Sequence, residues 1–266
     1  MNEEYTSESG KQEGWIFMLY GLKEIQKPKR FRLFALPYAG GSSYIYRQWE
    51  QSLPEEVDWC PVELPGRGRR MMEPLCRDID SLVNDIYGQI KDQLDLPFAF
   101  YGYSMGSLLA YELSRLMHGK GKEPVALFVA ACSAPHLPRS GENPADLPDG
   151  EFVERLRQFN GTPEEILQNE EMLQFFIPIL RADFSIVYDY SCQWGVPLHC
   201  PIIAFGGTMD PDVPEASLTA WKKHTDASFQ YHLYPGNHFF LNDYRESMLA
   251  VISRELEKLV QLKTDY

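Results

Sequence analysis

Short apolar runs recur along the chain and alternate with longer stretches in which apolar residues fall at helical spacing. The runs near residues 31–36, 57–64, 98–103, 125–132, 201–207 and 229–234 have the length of buried strands. Amphipathic stretches that predict helices lie between most of these runs. Short buried strands that alternate with helices predict a parallel sheet covered on both faces, and therefore a single α/β domain over residues 29–266.

Two segments fall outside this alternation. Residues 1–28 form a polar extension with one apolar patch, Trp15 to Leu19, which we expect to pack across the domain. The interval from about residue 136 to residue 199 is too long for a simple crossover and predicts an inserted helical lid. It carries two apolar stripes at helical spacing, and the richer stripe is interrupted at Pro178. Such stripes are typical of packing surfaces, but a lid also exposes apolar surface to a ligand, and we expect Phe176 and Phe184 to do so.

Composition and charge narrow the class of protein. The chain has 266 residues, of which 44% are hydrophobic, and this is enough to fill the core of one domain. Its five cysteines show no C-x-x-C spacing and indicate reduced thiols. No apolar stretch approaches the roughly 20 residues that span a bilayer, and the polar start does not resemble a signal peptide, so we predict a cytoplasmic protein without membrane contact. A net charge of −13 argues against nucleic-acid binding.

The stretch from Phe98 to Gly106 places a G-x-S-x-G motif between a strand-like run and a helix-like one. In the strand-to-helix turn of an α/β-hydrolase, a strained serine backbone lifts the hydroxyl above the sheet, and the flanking glycines leave room for the bend. Gly102 and Gly106 supply that room, which makes Ser104 the candidate nucleophile. The alternative is an ordinary buried turn in which Ser104 only caps the following helix.

A nucleophilic serine needs a base and an orienting carboxylate, which follow it in this fold in the order Ser, Asp, His. Of the six histidines, His238 follows the last strand-like run in a turn, whereas the others lie at positions more typical of structural or solvated residues. The alternative for His238 is a turn residue bonded only to backbone. Asp210 is the first carboxylate after the run 201–205, and Asp212 beyond it is the alternative. The chosen acid would hold the imidazole in the tautomer that accepts the serine proton.

An acyl-transfer site also needs N–H donors for the oxyanion of its tetrahedral intermediate. The N–H of Met105, directly after the nucleophile, is one candidate. The second is expected from the loop after the first strand, and because Pro37 has no N–H, we choose Ala39, within one residue. The alternative is that Gly40 and Gly41 form only a flexible turn or a weak phosphate loop, although no Lys-Ser/Thr pair follows them.

Five motifs at these spacings resemble the type II thioesterases, the discrete acyl-thioester hydrolases that serve nonribosomal peptide, polyketide and some fatty-acid synthases. The resemblance runs from about residue 31 to about residue 258. It is carried by Leu36 to Gly41, Glu63 to Arg70, Pro97 to Gly106, Phe205 to Asp210, and Gly236 to Leu241. Two positions depart from the family pattern: Tyr103, where many relatives carry His, and Asn237, where a second Gly is common. We expect activity to survive both, since Tyr103 is not a triad member and Asn tolerates left-handed backbone.

The resemblance implies an α/β-hydrolase fold and a substrate held as an acyl or aminoacyl thioester on the phosphopantetheine arm of a carrier protein. Ser104 would attack the thioester carbonyl, His238 would protonate the leaving thiol, and water would then release the acid. It further implies an editing role on a synthase, with carrier domains as partners. We expect a monomer that requires no metal and no dissociable cofactor.

Three rival functions stay open on the sequence. A medium-chain acyl-carrier-protein hydrolase of fatty-acid synthesis would be favoured by a deep pocket. A small-molecule carboxylesterase would need no docking of a carrier. A non-enzymatic scaffold is disfavoured by the intact set of Ser104, Asp210 and His238.

Docking of an acidic carrier would need a local basic patch, because the chain as a whole is acidic. Arg69 and Arg70 follow the strand-like run that ends at Leu64, which places them at the carboxyl edge of a parallel sheet. Arginine at that edge could pair with the phosphate of the arm or with carrier carboxylates. Arg67 of the same motif fits docking and a structural turn equally well.

Overall fold

The computed structural model describes residues 27–139, 141–159, 161–162 and 164–264. Nearly all of the predicted extension over residues 1–28, including the apolar patch from Trp15 to Leu19, lies outside the described residues. No helix within the described ranges is both long enough and apolar enough to cross a membrane.

A parallel sheet forms the centre of the described chain. Its strands are β1 (Phe31–Leu36), β2 (Val57–Pro61), β3 (Phe98–Tyr103), β4 (Leu127–Ala130), β5 (Ile202–Gly207) and β6 (Phe229–Tyr234). They lie in the order β2-β1-β3-β4-β5-β6, and all five strand pairings are parallel. Each strand falls within one of the predicted apolar runs, so the predicted α/β fold is confirmed.

The helices cover both faces of this sheet. In chain order they are α1 (Ile79–Ile90), α2 (Met105–Gly119), α3 (Asp149–Phe159), α4 (Glu164–Leu167), α5 (Glu170–Asp189), α6 (Glu215–Thr219) and α7 (Leu241–Thr264). Buried side chains of α1, α2 and α6 share one core cluster with the sheet. Buried side chains of α7 share the cluster on the opposite face with aromatic residues of the β1–β2 connection. The result is a three-layer α/β/α arrangement.

The central strand β3 shows how one strand serves both cores. Phe98 and Phe100 belong to the cluster beneath α1 and α2, whereas Ala99, Tyr101 and Tyr103 belong to the cluster beneath α7. This division follows from the two-residue period of a strand, which sends successive side chains to opposite faces. All residues of β3 are buried, as expected for a central parallel strand covered on both sides.

The segment between β4 and β5, predicted as a lid, folds as the helices α3, α4 and α5. The side chain of Asn169 caps α5 by accepting the N–H of Met172 at 3.1 Å. This helix runs on through Pro178, where the apolar pattern predicts an interruption. The three helices share a small apolar core of their own, with Phe152, Leu156, Leu167 and Leu180 buried at its centre.

The strand order determines where a ligand can bind. The chain passes from β1 to β2 on one side, while β3 pairs with β1 on the other side. In open parallel sheets, this reversal opens a crevice at the carboxyl ends of the strands. Ser104 directly follows β3, and the loop from Pro37 to Ser42 directly follows β1, so both reach that crevice.

A buried histidine, His224, lies in the core beside α2. Nδ1 of His224 lies 2.8 Å from Oη of Tyr111, and its Nε2 lies 2.7 Å from Nδ1 of His136. The indole ring of Trp194 stacks on the His224 imidazole with the ring centroids 5.2 Å apart. Burial, together with the nearby His136, lowers the pKa of His224 to about 4. The ring is therefore neutral in the folded protein at pH 7.

This histidine predicts a pH-dependent loss of stability. The unfolded chain would protonate His224 near pH 6.5, whereas the folded chain does so only near the lowered pKa of about 4. The unfolded state therefore binds more protons between these values, and the free energy of unfolding falls by about 2 kcal/mol from pH 7 to pH 4.5. Urea unfolding across this range measures the loss. The variant His224→Gln should show a shallower pH dependence, and an unchanged dependence would contradict the assignment.

Candidate active site

Ser104 lies in the sharp turn between β3 and α2, with φ of 52° and ψ of −115°. Ser104 and Ala131, whose φ is 49°, are the non-glycine residues of the described chain with positive φ, and both line one cavity. Such strain persists only where the surroundings determine the conformation. A Cβ atom on Gly102 would clash with the carbonyl of Gly106, and one on Gly106 with the carbonyl of Leu36. The turn therefore requires both glycines.

Ser104, His238 and Asp210 form a hydrogen-bonded chain at this turn. Nε2 of His238 lies 3.0 Å from Oγ of Ser104, and Nδ1 lies 2.7 Å from Oδ2 of Asp210. The other carboxylate oxygen, Oδ1, accepts the N–H of Asp212 at 3.0 Å, so the buried carboxylate is bonded at both oxygens. Because Nδ1–H donates to Asp210, Nε2 is left as the acceptor that faces the serine hydroxyl. The structure thus brings Asp210, and not the alternative Asp212, to His238.

Tyr103 supports the loop that carries His238. Its Oη donates to the carbonyl oxygen of His238 at 2.7 Å and accepts the N–H of Leu241 at 3.4 Å. Burial raises the pKa of Tyr103 well above its usual range, so the hydroxyl keeps the proton that it donates. The sequence marks Tyr103 only as a departure from the family pattern, outside the triad. The structure makes it a positioning residue for the histidine.

The two residues predicted to supply N–H groups for an oxyanion hole are Met105 and Ala39. Met105 is the first residue of α2, so its N–H has no acceptor within the helix. In the loop after β1, the N–H groups of Gly40 and Gly41 are already used in hydrogen bonds. These bonds exclude Gly40, one of the neighbours that the sequence left open. Ala39 and Met105 line the same cavity as Ser104.

A buried ion pair ties the lid segment to this loop. Asp183 of α5 accepts two hydrogen bonds from the guanidinium of Arg67, at 2.5 and 2.8 Å, and the two residues are 1% and 5% exposed. The same Oδ2 atom accepts the N–H of Gly40 at 2.7 Å. Arg67 also donates to the carbonyl of Gly41 at 3.4 Å. The helix α5 therefore holds the loop that presents Ala39.

This ion pair decides between the two interpretations of Arg67: the residue is structural and is not available for docking. Asp183 was missed from the sequence, although one signal was present. It is an acidic residue within the buried stripe of α5, between Leu180 and Ile186. A carboxylate in such a stripe predicts a buried partner. The pattern could not identify that partner, which lies 116 residues away in the sequence.

The cavity above Ser104 has a volume of about 390 Å³. Its wall combines apolar side chains of the lid segment with polar groups from the ends of β4 and β5, including Leu137, Arg139, Phe159, Phe184, Val187, Tyr188, Ser133 and Asp212. Phe184 lies in this wall, as expected. Phe176 does not line the cavity but packs against the small core of the lid segment. The expectation for Phe176 is therefore wrong, because its stripe faces the lid core at that turn of the helix.

The two arginines predicted for docking differ in the structure. The guanidinium of Arg70 is bonded to both carboxylate oxygens of Asp85, at 2.7 Å each, and to Glu73. It also donates to the carbonyl of Glu63 at 3.1 Å. Since these partners neutralise its charge and occupy its donors, Arg70 is a structural residue. Arg69 is exposed, so the docking prediction stays with Arg69 alone.

One group of possible metal ligands occurs within the described ranges, formed by His118, Glu123 and His199. It lies at the far end of α2 from Ser104. His118 is hydrogen-bonded to Glu123, and Nδ1 of His199 lies 2.7 Å from Asp226. The group takes no part in the site at Ser104. Independence from metals and cofactors stays a prediction.

Comparison with known proteins finds one matching family model and relatives that align with most of this chain. The family model of the thioesterase domain matches residues 31–256. Linear gramicidin dehydrogenase LgrE of Brevibacillus parabrevis is 45% identical over 229 residues, which cover 85% of this chain and 87% of that protein. Gramicidin S biosynthesis protein GrsT of Aneurinibacillus migulanus is 38% identical over 90% of this chain and 94% of that protein.

A solved structure extends the similarity to three dimensions. The type II thioesterase BorB from the borrelidin biosynthetic cluster is 35% identical in sequence. It superposes with a TM-score of 0.80 over 87% of this chain and 96% of that chain. The similarity therefore covers the described domain as a whole and is not confined to the motif around Ser104.

The ion pair between Arg67 and Asp183 predicts a strong energetic coupling. Asp183→Leu leaves a buried guanidinium unpaired, and Arg67→Met leaves a buried carboxylate unpaired, so each should lower the free energy of unfolding by about 3–5 kcal/mol. The double variant should be more stable than the sum of the two losses predicts, by at least about 1 kcal/mol. Urea unfolding of all four proteins measures this coupling. Additive losses would show that the two side chains act independently.

Proposed function

The chain belongs to the thioesterase family, and from this premise we propose that it hydrolyses acyl or aminoacyl thioesters held on the phosphopantetheine arm of carrier domains. The family resemblance predicted from the sequence motifs is confirmed. Its relatives GrsT and BorB are named for gramicidin S biosynthesis and for the borrelidin cluster. Those names favour an editing role, in which the enzyme removes stalled or wrong acyl groups from an assembly line of this kind.

One observation carries the proposed mechanism: the chain of hydrogen bonds from Ser104 through His238 to Asp210. As Oγ of Ser104 attacks the thioester carbonyl, its proton passes to Nε2 of His238. The buried carboxylate of Asp210 stabilises the imidazolium that results and remains ionised itself. The C–S bond then breaks, and His238 returns the proton to the departing thiol. A water molecule, deprotonated by the same nitrogen, hydrolyses the acyl-serine to the free acid.

The strained turn supplies the remaining requirement of the reaction. The tetrahedral intermediate carries a negative oxygen that needs preorganised donors, and in known enzymes each such donor contributes about 3 kcal/mol to catalysis. We assign this role to the N–H groups of Met105 and Ala39. Asp183 keeps the second donor in place, since it holds the next residue of the loop, Gly40.

Two related hydrolytic functions are less supported by the relatives than editing on a synthase. A medium-chain acyl-carrier-protein hydrolase would use the same residues, and the names of the relatives support it less. A carboxylesterase would use them on small free esters. The name of LgrE also suggests a dehydrogenase. However, the turn after β1, from Pro37 to Ser42, lacks the G-x-G-x-x-G spacing of a dinucleotide site.

Substitution of the proposed triad tests the mechanism. Ser104→Ala and His238→Ala should each reduce kcat on an acyl N-acetylcysteamine thioester by at least about 10³-fold. The double variant should be no slower than either single variant, because the residues act as one unit. Asp210→Asn should lose far more activity than Asp212→Asn, which serves as the matched control. A much slower double variant, or the reverse order of the two aspartates, would reject the assignment.

The carrier as substrate is tested by comparing one acyl group on a carrier protein with the same group on N-acetylcysteamine. We expect a higher kcat/KM for the carrier-bound group, because docking adds binding energy that the short thiol cannot supply. Arg69→Glu should raise KM several-fold for the carrier substrate alone. Arg157→Glu, another exposed cation, is the control. Equal rates on the two thiols would favour the esterase, and equal effects of Arg69→Glu on both would remove Arg69 from docking.

A further inference from the structure

Arg139 lies in the wall of the cavity that contains Ser104, and none of the functions assigned above uses it. Its guanidinium makes two long hydrogen bonds to neutral acceptors, at 3.5 Å to the carbonyl of Ser133 and at 3.7 Å to Sγ of Cys132. Its Nε atom is buried and has no hydrogen-bond partner among the described residues. A group with five N–H donors is therefore poorly satisfied.

This arrangement is energetically unfavourable for the protein alone. A buried donor without an acceptor costs about 1–3 kcal/mol, and more where the donor is charged. By contrast, the guanidinium of Arg67, which supports the loop after β1, is paired in two hydrogen bonds with Asp183. A guanidinium that faces a cavity and lacks such a partner has N–H donors available for hydrogen bonds to a ligand.

The surroundings of Arg139 show which part of the cavity it serves. Its contacts with Cys132 and Ser133 place the guanidinium at the end of β4, directly after the strained Ala131 of the cavity wall. Tyr188 of α5 lines the same region. Burial and the nearby Asp212 raise the pKa of Tyr188, whereas Arg155 and Arg139 act in the opposite direction.

The polar part of the wall thus contains charges of both signs. Asp212 lines the cavity too, but its carboxylate forms no ion pair with Arg139 among those of the described residues. The hydrogen bonds of the guanidinium go to the neutral acceptors Ser133 and Cys132 instead. The wall of the cavity therefore combines apolar side chains with the guanidinium of Arg139, which has no ion-pair partner among the described residues.

We propose that Arg139 forms a subsite for an anionic oxygen group of the thioester substrate. The proposal rests on the proposed function and deepens it, since it names a substrate class: acyl groups that carry a carboxylate, such as a dicarboxylic half-thioester. The planar guanidinium matches a carboxylate in two parallel N–H···O bonds. The phosphate of the arm offers the same chemistry. Because Arg139 contacts Cys132 and Ser133 at the end of β4 and lines the same cavity as Ser104, its position favours the acyl carboxylate.

The test compares thioesters that differ in one charged group. Butyryl- and succinyl-N-acetylcysteamine have acyl chains of equal length, and only the succinyl chain ends in a carboxylate. Butyryl-pantetheine and butyryl-4′-phosphopantetheine differ only in the phosphate. The kcat/KM of each is measured for the wild type, Arg139→Gln and Arg139→Lys, with Arg157→Gln as a matched surface control. Urea unfolding checks that each variant folds.

For an acyl carboxylate, Arg139→Gln should lower the succinyl-to-butyryl ratio of kcat/KM by about 10- to 100-fold, the range for a hydrogen-bonded charge. Arg139→Lys should give an intermediate loss, because lysine keeps the positive charge but cannot make two parallel hydrogen bonds to a carboxylate. If Arg139 binds the phosphate of the arm instead, Arg139→Gln should lower the ratio of kcat/KM between butyryl-4′-phosphopantetheine and butyryl-pantetheine. The succinyl-to-butyryl ratio should then stay unchanged. If neither ratio changes while the thioesters are still hydrolysed, the subsite is overturned but the hydrolase is not.

A binding measurement keeps the test independent of catalysis. Ser104→Ala protein should bind succinamate at least several-fold more tightly than its uncharged counterpart butyramide, and the additional substitution Arg139→Gln should remove this difference. Isothermal titration calorimetry measures both affinities. Equal affinities in Ser104→Ala protein, together with an unchanged phosphate ratio in the kinetic test, would contradict the proposal. Failure of the wild type to hydrolyse any thioester would instead reject the proposed function.

Discussion

Three lengths of backbone meet in close contact at Ser104: the end of β3, the first turn of α2 and the end of β1. Gly102 and Gly106 permit this contact, because a side chain at either position would clash with backbone atoms of its neighbours. The contact places the serine hydroxyl, the free N–H of Met105 and the loop after β1 around one point. The rest of the site depends on it, since nucleophile, base and oxyanion donors must converge within hydrogen-bond distance of one reacting carbon.

The helix α5 couples the lid segment to this chemistry. Phe184 of the helix forms part of the cavity wall. The preceding residue, Asp183, forms the buried ion pair with Arg67 and accepts a hydrogen bond from Gly40 in the loop after β1. One turn of helix therefore forms part of the cavity wall and holds the loop that contains the proposed donor Ala39. A movement of this turn would have to break a buried ion pair, which costs several kcal/mol, or carry the loop with it. We infer that this half of α5 acts as part of the rigid body of the enzyme.

The cavity itself is suited to more than one acyl group. Its apolar wall can bury an alkyl chain, while Arg139 and Asp212 add charges of opposite sign near the reacting centre. An editing enzyme has to accept whatever blocks a carrier, and a cavity of mixed character serves that purpose better than a narrow apolar tube. The residues of the hydrogen-bonded chain, Ser104 and His238, are distinct from the apolar side chains of the cavity wall. Specificity can thus vary while the hydrolytic machinery stays the same.

The sequence by itself determined the strands and indicated Ser104, Asp210 and His238, which the structure joins in one hydrogen-bonded chain. Buried parallel strands appear as continuous apolar runs, and a serine nucleophile needs its acid and base at later strand ends, which indicated Asp210 and His238. The pattern could not determine the separate roles of Arg67, Arg69 and Arg70, which lie in one motif. In the structure Arg67 forms a buried ion pair with Asp183, Arg69 is exposed, and Arg70 forms an ion pair with Asp85. It also could not show the contact of Tyr103 with His238 or the unsatisfied donors of Arg139. Local periodicity records residue type and burial, whereas Arg67 and Asp183 lie 116 residues apart and Tyr103 and His238 lie 135 residues apart. Only the tertiary packing of the sheet, its loops and the lid segment brought these partners together.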